Sequence, residues 1–338
     1  MTGAPLLVLS GADVHALLGY AECTAAMRDA LTALASGRAQ QPLRTVIAPE
    51  GAAGLMALMP SYLTAETGRD SDRQAAYGLK AICVTPGNPA AGLDAHQGVI
   101  LLSSGATGEP LALVSASAVT EIRTAAVSVV ATDLLARPDA GRLAVIGTGR
   151  QARAHILALD GARQLSQIRV AGRNQDRAEQ FAASFDGQTT APVKACPSAR
   201  EAVAAASIVV TVTNSAQPVL NRDWIAPGTH INAVGACLPG LRELDTATVG
   251  AGVLFADRRE SMLAESGDYL LAAAEGAVTP DRIRAELGEL LLGTATGRAT
   301  ADEITIFESL GLAVEDLAAA RRVYELAAET GAGSRIDF

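Results

Sequence analysis

Short apolar runs recur along the chain, and what lies between them changes character near its middle. Leu6–Leu9 (LLVL) reads as a strand. Ser10 or Asp13 then stands ready to cap one long helix over VHALLGYAECTAAMRDALTALASG, with Leu17, Leu18, Met27, Leu31 and Leu34 turned inward. QPLRTVIA, from Gln41, and residues 54–59 read as further strands. From Tyr77, YGLKAICVTPGNPAAGLDAHQGVILLSSGATGEPLALVSAS alternates apolar runs with Pro-Gly-Asn-Pro and Gly-Ala-Thr-Gly, the turn chemistry of antiparallel β-structure. A helix is expected from Thr120, over TEIRTAAVSVVATDLLAR, with Pro138 ending it.

Beyond this helix the rhythm becomes strand, helix, strand. Residues 143–146 form an apolar run, Gly147-Thr148-Gly149-Arg150-Gln151-Ala152 follows at once, and Ala154, Ile156, Leu157 and Ala158 take up helical spacing. Gly147 lets the chain turn, Gly149 lets backbone approach a diphosphate, and Ala152 still permits close helix–strand packing. A bare GxG also occurs in ordinary tight turns, but strand, turn and helix together point to a dinucleotide at the helix start. Runs at 168–171, 208–213, 230–234 and 253–256 are mostly separated by Ala-rich helical segments, as in parallel strands buried on both faces. The last segment, ITIFESLGLAVEDLAAARRVYELAAE, is a short strand and a helix carrying Leu312, Leu317, Val323 and Leu326. Since the parallel sheet already has its strands, this helix is expected to return to the first domain. The fold expected is α/β, a Rossmann dinucleotide-binding domain over 123–311 plus a mixed α+β domain over 1–122 with 312–338.

Composition narrows the picture. With 338 residues, 49% apolar and only 3% aromatic, the core is one of Ala, Leu, Val and Ile. Net charge is −9 and no basic run interleaves with aromatics, so no nucleic acid is expected as a partner. The opening MTGAPLLVLS has no basic n-region and no apolar stretch reaches spanning length, so no membrane and a cytoplasmic location are expected. Cys23, Cys83, Cys196 and Cys237 are scattered without a CxxC, which suggests neither disulfides nor a metal site.

Several separate stretches carry a resemblance over nearly the whole length. YGLKAICVTPGNPAAGLDAHQG, TGEPLALVSASAVTEIRTAA, LAVIGTGRQARAH, GTHINAVGACLPGLRELD, GELLLGTATGR and ITIFESLGLAVEDLAAA together resemble the ornithine cyclodeaminase/mu-crystallin family. The resemblance implies a Rossmann domain with a substrate-binding and dimerisation domain, a homodimer, and an amino or imino acid substrate bearing an α-carboxylate. It places Arg44 and Arg123 on that carboxylate, a task suited to arginine's planar fork. It makes Lys80 the active-site lysine, and the apolar setting of GLKAIC suits an amine whose proton is easily moved. Thr148, Gly149, Arg150 and Gln151 would hold the diphosphate, while Val234 and Gly235 would border the nicotinamide. Thr213 could line the same place, Ser309 matches a position near the cofactor, and Leu310 one near the substrate. His96 would either orient substrate or serve structure; His15, His155 and His230 read as structural, and the acidic surface residues as a solvated face.

The implied activity is NAD(P)H-dependent reduction of a small cyclic ketimine such as 1-pyrroline-2-carboxylate or 1-piperideine-2-carboxylate. The alternatives are an amino-acid dehydrogenase of the alanine or N-substituted type, and a non-catalytic mu-crystallin-like binder of NADPH or other ligands. After the second strand, RVAGRN puts Gly172 and Arg173 where an NAD-specific site usually has an acid, with Asn174 next to them on the cofactor, so NADPH is expected over NADH. One departure stands out. Where the ornithine-cyclising branch reads GGDCPGK, this chain reads GACLPGL, with Cys237 in the aspartate's place and Leu241 in the lysine's.

Overall fold

The computed structural model describes residues 5–68 and 71–337; the first four residues of the MTGAPLLVLS stretch lie outside them. The chain forms two compact units, one from the residues up to Arg123 together with those from Leu312 on, the other from Thr124 to Gly311.

The first unit holds β1 (Leu6–Leu9), α1 (Gly11–Leu17), α2 (Tyr20–Ala35), β2 (Ala39–Gln40), β3 (Thr45–Ile47) and β4 (Leu55–Leu63). The small hairpin of β5 (Glu66–Gly68) and β6 (Ser71–Arg73) follows, then β7 (Ala76–Val84), β8 (His96–Ser104) and β9 (Pro110–Ser115). Its main sheet is eight-stranded. The order is β18-β1-β9-β8-β7-β4-β2 with β3 also on β4, where β18 is Ser334–Ile336 near the chain's end. The meander β4-β7-β8-β9 is antiparallel, whereas β1 joins β9 in parallel.

The helix expected after β1 is two helices. Ser10 caps α1 through a capping box with Asp13, and the chain then takes an extended turn at Leu18 and Gly19 before α2. The apolar spacing runs through this break, but a glycine costs about 1 kcal/mol inside a helix and none in the extended turn it adopts here. Leu18, Met27 and Leu31 are buried, while Leu17 and Leu34 are half-buried. The strand expected from Gln41 shrinks to β3, exposed throughout, and the one at 54–59 continues to Leu63.

Helix α3 (Ala116–Leu135) begins four residues before Thr120. Ser115 precedes it directly, but LALVSAS reads as a continuation of the strand before it, which hides the start. The second unit continues with β10 (Arg142–Ile146), α4 (Arg150–Ala162), β11 (Gln167–Ala171), α5 (Gln175–Ala183), β12 (Val193–Ala195), α6 (Ala199–Val203), β13 (Ile208–Thr211) and β14 (His230–Ala233). It closes with α7 (Thr246–Ala251), β15 (Val253–Ala256), α8 (Arg259–Glu265), α9 (Gly267–Ala274), β16 (Ile283–Glu286), α10 (Leu287–Leu291) and β17 (Thr305–Glu308).

All eight strands of the second unit's sheet are parallel, in the order β12-β11-β10-β13-β14-β17-β15-β16. The chain starts at β10, moves outward to β11 and β12, and returns to place β13 on β10's other side. That reversal makes the carboxyl end of β10 a topological switch point, where open α/β sheets bind ligands. This is the Rossmann arrangement expected from the apolar runs. Edge strands β12 and β16 were not legible, being short and only partly buried.

The final helix, α11 (Ala313–Thr330), belongs to the first unit and lies on β7, β4 and β8. Gly78 makes its close approach possible: a Cβ there would fall 2.9 Å from Leu317 Cδ1 and 3.0 Å from Leu317 Cβ. Among the described residues, no helix is long and apolar enough to cross a membrane.

Candidate active site

In the second unit the glycine loop sits at the switch point. Gly147 adopts φ +136°, where L side chains are strained, and a Cβ would meet the Val212 carbonyl oxygen at 2.7 Å. Gly149 is the N-cap of α4 in extended conformation, and a Cβ there would meet nothing within 4 Å. A tight turn behind and open space in front leave the first N–H groups of α4 facing solvent, which suits an anionic diphosphate. Thr148, Gly149, Arg150 and Gln151 are all half-buried or exposed, whereas Ala152 is fully buried. The loop therefore fits a dinucleotide.

His155, one turn along α4, shares its ring between the Gln151 carbonyl (Nδ1, 2.7 Å) and Ser128 Oγ (Nε2, 2.9 Å). A carbonyl only accepts, so Nδ1 carries the proton and Ser128 donates to Nε2. Burial pulls its pKa down to about 4, so the ring is neutral at neutral pH. His230 is likewise buried, on Thr305 Oγ1, and pushed down to about 3 chiefly by burial. His15 is a surface residue 3.9 Å from Glu121.

Arg173 and Asn174 follow β11. Arg173 is exposed, and Asn174 caps α5 by accepting from the Arg177 N–H at 2.8 Å. Gly172 faces Thr148 so closely that a Cβ would sit 2.9 Å from its methyl group, tying this turn to the glycine loop. Thr213 does not end a strand as expected but lies two residues beyond β13, and Val234 follows β14 directly. Glu243 binds this region together: Oε1 accepts from the Thr213 N–H at 2.5 Å and Oε2 from the Gly235 N–H at 2.7 Å. Ser309 donates its N–H to the Ala233 carbonyl, and Leu310 and Gly311 both donate to Asp257 Oδ2 at 2.8 Å.

Four acids of this unit lie away from the surface. Glu243, Asp257, Asp268 and Glu308 are all buried in this unit. Asp268 accepts from the Glu243 and Leu244 N–H groups, and burial lifts its carboxyl to about 7. Burial, then the Asp268 charge, raises Glu308 well above the usual carboxylate range, while Ser266 donates to it at 3.0 Å. Glu243 is also raised by burial, against the hydrogen bonds it accepts.

In the first unit the strand period of two puts Gly78, Lys80 and Ile82 on the buried face of β7 and Tyr77 and Leu79 on the other. Lys80 is 3% exposed, and its Nζ lies 3.1 Å from both carboxylate oxygens of Asp316 in the first turn of α11. Arg123 Nε donates to Asp316 Oδ1 at 3.0 Å, and its Nη1 to Glu315 Oε2 at 3.0 Å. Glu315 accepts in addition from the Leu312 N–H, anchoring the start of the helix. Burial, helped by the Arg123 and Arg44 charges and opposed by Asp316, pulls Lys80 down to about 8. Arg44 is half-buried just before β3. His96 opens β8 opposite Val84, on the same sheet face as Lys80 and Ile100 but at its exposed end, its pKa lowered by the protein packed around it and then by Lys80.

So Lys80, Arg123 and Arg44 converge electrostatically in one unit, and the loop residues converge in the other. Sequence reading missed Asp316 and Glu315, which look like ordinary helix-start acids in GLAVEDLAAA. Their one signal is an apolar neighbourhood that leaves charge nowhere to be solvated. Among the described residues no group of His, Cys, Asp and Glu is placed to hold a metal ion, and all four cysteines are free.

A parallel sheet with a glycine loop at its switch point in the second unit, and in the first a buried lysine bonded to Asp316 beside two arginines, define a two-unit, dinucleotide-dependent class of enzyme. Residues 6–331 match the ornithine cyclodeaminase/mu-crystallin family, and the chain belongs to it. It is 38% identical over 289 residues to the mouse ketimine reductase mu-crystallin, covering 86% of each chain. The solved structure of Thermococcus litoralis Δ(1)-pyrroline-2-carboxylate reductase, in complex with NADH and L-proline, is 37% identical with a TM-score of 0.91, covering 98% of this chain and 100% of that one. An archaeal alanine dehydrogenase dimer with bound NAD is 31% identical with a TM-score of 0.90, covering 98% and 99%.

Proposed function

We propose that this protein reduces a small cyclic ketimine carboxylate of the 1-pyrroline-2-carboxylate or 1-piperideine-2-carboxylate type, preferring NADPH and able to use NADH. The observation that carries the reading is Lys80: a buried lysine with a pKa near 8 remains protonated at neutral pH yet gives up its proton readily. When bound, the nicotinamide supplies hydride to the imine carbon. Lys80 delivers its proton to the imine nitrogen as that bond is reduced, leaving a neutral amine on the protein and a secondary amine in the product; water then reprotonates the lysine. Arg44 and Arg123 fix the substrate carboxylate; Asp316 and Glu315 take two of Arg123's five N–H donors and hold its guanidinium in place. Thr148, Gly149, Arg150 and Gln151 hold the diphosphate, with Thr213, Val234, Gly235 and Ser309 toward the nicotinamide, Leu310 and His96 toward the substrate.

Loss of absorbance at 340 nm with NADPH and a panel of cyclic imines tests this. Turnover is expected there and not with ornithine and catalytic NAD⁺, because Cys237 and Leu241 offer the side-chain ammonium no carboxylate. Faster turnover of pyruvate with ammonia or methylamine would favour an amino-acid dehydrogenase. Tight cofactor binding without any turnover would make the protein a binder.

The cofactor preference rests on Arg173, exposed beside the glycine loop with no carboxylate at the strand end. Arg173→Ala is expected to raise the KM for NADPH by roughly 10–100-fold, the worth of a charged hydrogen bond, and to leave NADH nearly unchanged. Equal losses with both cofactors would remove Arg173 from 2′-phosphate recognition.

A homodimer belongs to the same reading. The sheet face turned away from α11 exposes Ile47, Tyr77, Leu79 and Val99 at 36–52%, with Pro60 between them. A second copy of this face is its natural cover; a monomeric mass by light scattering would refute it.

A further inference from the structure

We propose that Asp316 is a positioning residue which, by bonding Lys80 with both oxygens and Arg123 with one, keeps that lysine charged and aimed as the proton donor. The inference deepens the reading of Lys80 above and rests on it. Three observations carry it. Asp316 is 1% exposed, and its carboxylate is the acceptor the structure gives Lys80 Nζ. The same carboxylate takes Arg123 Nε at 3.0 Å, so one anion fixes two cations whose relative placement matters for a substrate bearing both an imine and a carboxylate. Finally, the fold is shaped to bring it there: Gly78, two residues before Lys80 on the same strand face, lets Leu317 and hence the first turn of α11 lie directly on β7.

The charges facing Lys80 come from every element around it. Asp316 and Glu315 come from α11, Arg123 from α3, Arg44 from the segment before β3 and His96 from β8. Burial, Arg123 and Arg44 all push the amine toward its neutral form, and Asp316 is the group that opposes them. Without it the balance tips toward the neutral amine, which cannot act as an acid in imine reduction. Glu315 has a separate part. It braces Arg123 and the helix start, so its loss should disturb the arginine more than the lysine.

The chain has only two lysines, Lys80 and Lys194, so a protein labelled with ¹³Cε-lysine gives two resonances. Lys194 is an exposed internal reference. In the unaltered protein the Lys80 signal is expected to titrate near pH 8. In Asp316→Asn it should titrate at least about one pH unit lower, the least that losing an adjacent opposite charge produces. In the same variant the high-pH limb of kcat/KM for the best imine should move down with the resonance, and it should not move further in a Lys80→Met background. Superimposable Lys80 titrations in the two proteins would overturn the inference. This readout needs no turnover, so absence of any imine activity would sink the proposed function without deciding the role of Asp316. Should Asp316→Asn not fold, Asp316→Glu keeps the charge and should leave the titration in place; a displacement of a full unit there would equally overturn it.

Discussion

Lys80→Met should lower kcat/KM for the preferred cyclic imine by about 10²–10⁴-fold, the usual contribution of a positioned general acid. Methionine matches the lysine stem in length and removes only the ammonium, and Asp316 keeps Arg123 as its partner. The buried carboxylate is therefore not left without a cation, so the fold should survive the change. Dinucleotide affinity, read by NADPH fluorescence, should be unaltered, because the glycine loop belongs to the other unit. The deficit should also narrow as the pH falls, since an imine that takes its proton from solvent needs no lysine to supply it. An unchanged kcat/KM, or an equal loss at every pH, would remove Lys80 from the chemistry.

What could be read in advance followed the range of the forces involved. The glycine loop was legible because strand, turn and helix signals are local: four apolar residues, two glycines and a helical repeat fit one another within 18 positions of chain. The strands of the parallel sheet were legible because double-sided burial leaves near-continuous apolar runs, as in IVVT and VLFA. The break at Gly19 and the early start of α3 were not. In the first the apolar period continues across a corner, and in the second LALVSAS reads as strand up to and past Ser115, where the helix begins. Least legible were the buried acids. Beyond its apolar neighbourhood, nothing local marks Glu308 or Asp316 as buried, because what makes each tolerable is a partner far away in sequence: Ser266 for one, Lys80 and Arg123 for the other. Their burial is a tertiary fact that the local sequence does not spell out.

The glycine loop offers the second large effect, and its two glycines should fail in different ways. Gly147→Ala forces a side chain into φ +136° and drives its Cβ to 2.7 Å from the Val212 carbonyl oxygen and 3.0 Å from Val212 Cγ2. Backbone strain and overpacking each cost about 1–3 kcal/mol, so the protein should lose roughly 2–6 kcal/mol of stability by denaturant unfolding. NADPH binding should weaken with it, as the displaced turn swings the first N–H groups of α4 off their target. Gly149→Ala is the contrasting case. Its φ of −97° is open to any residue and a Cβ would touch nothing within 4 Å, so unfolding should be close to that of the unaltered protein. Yet the open space in front of Gly149 is what lets a diphosphate come up against bare backbone, and a methyl group there should lower NADPH affinity by tenfold or more, the equivalent of about 1.4 kcal/mol. If Gly149→Ala binds NADPH as tightly as the unaltered protein, the diphosphate does not lie on this turn.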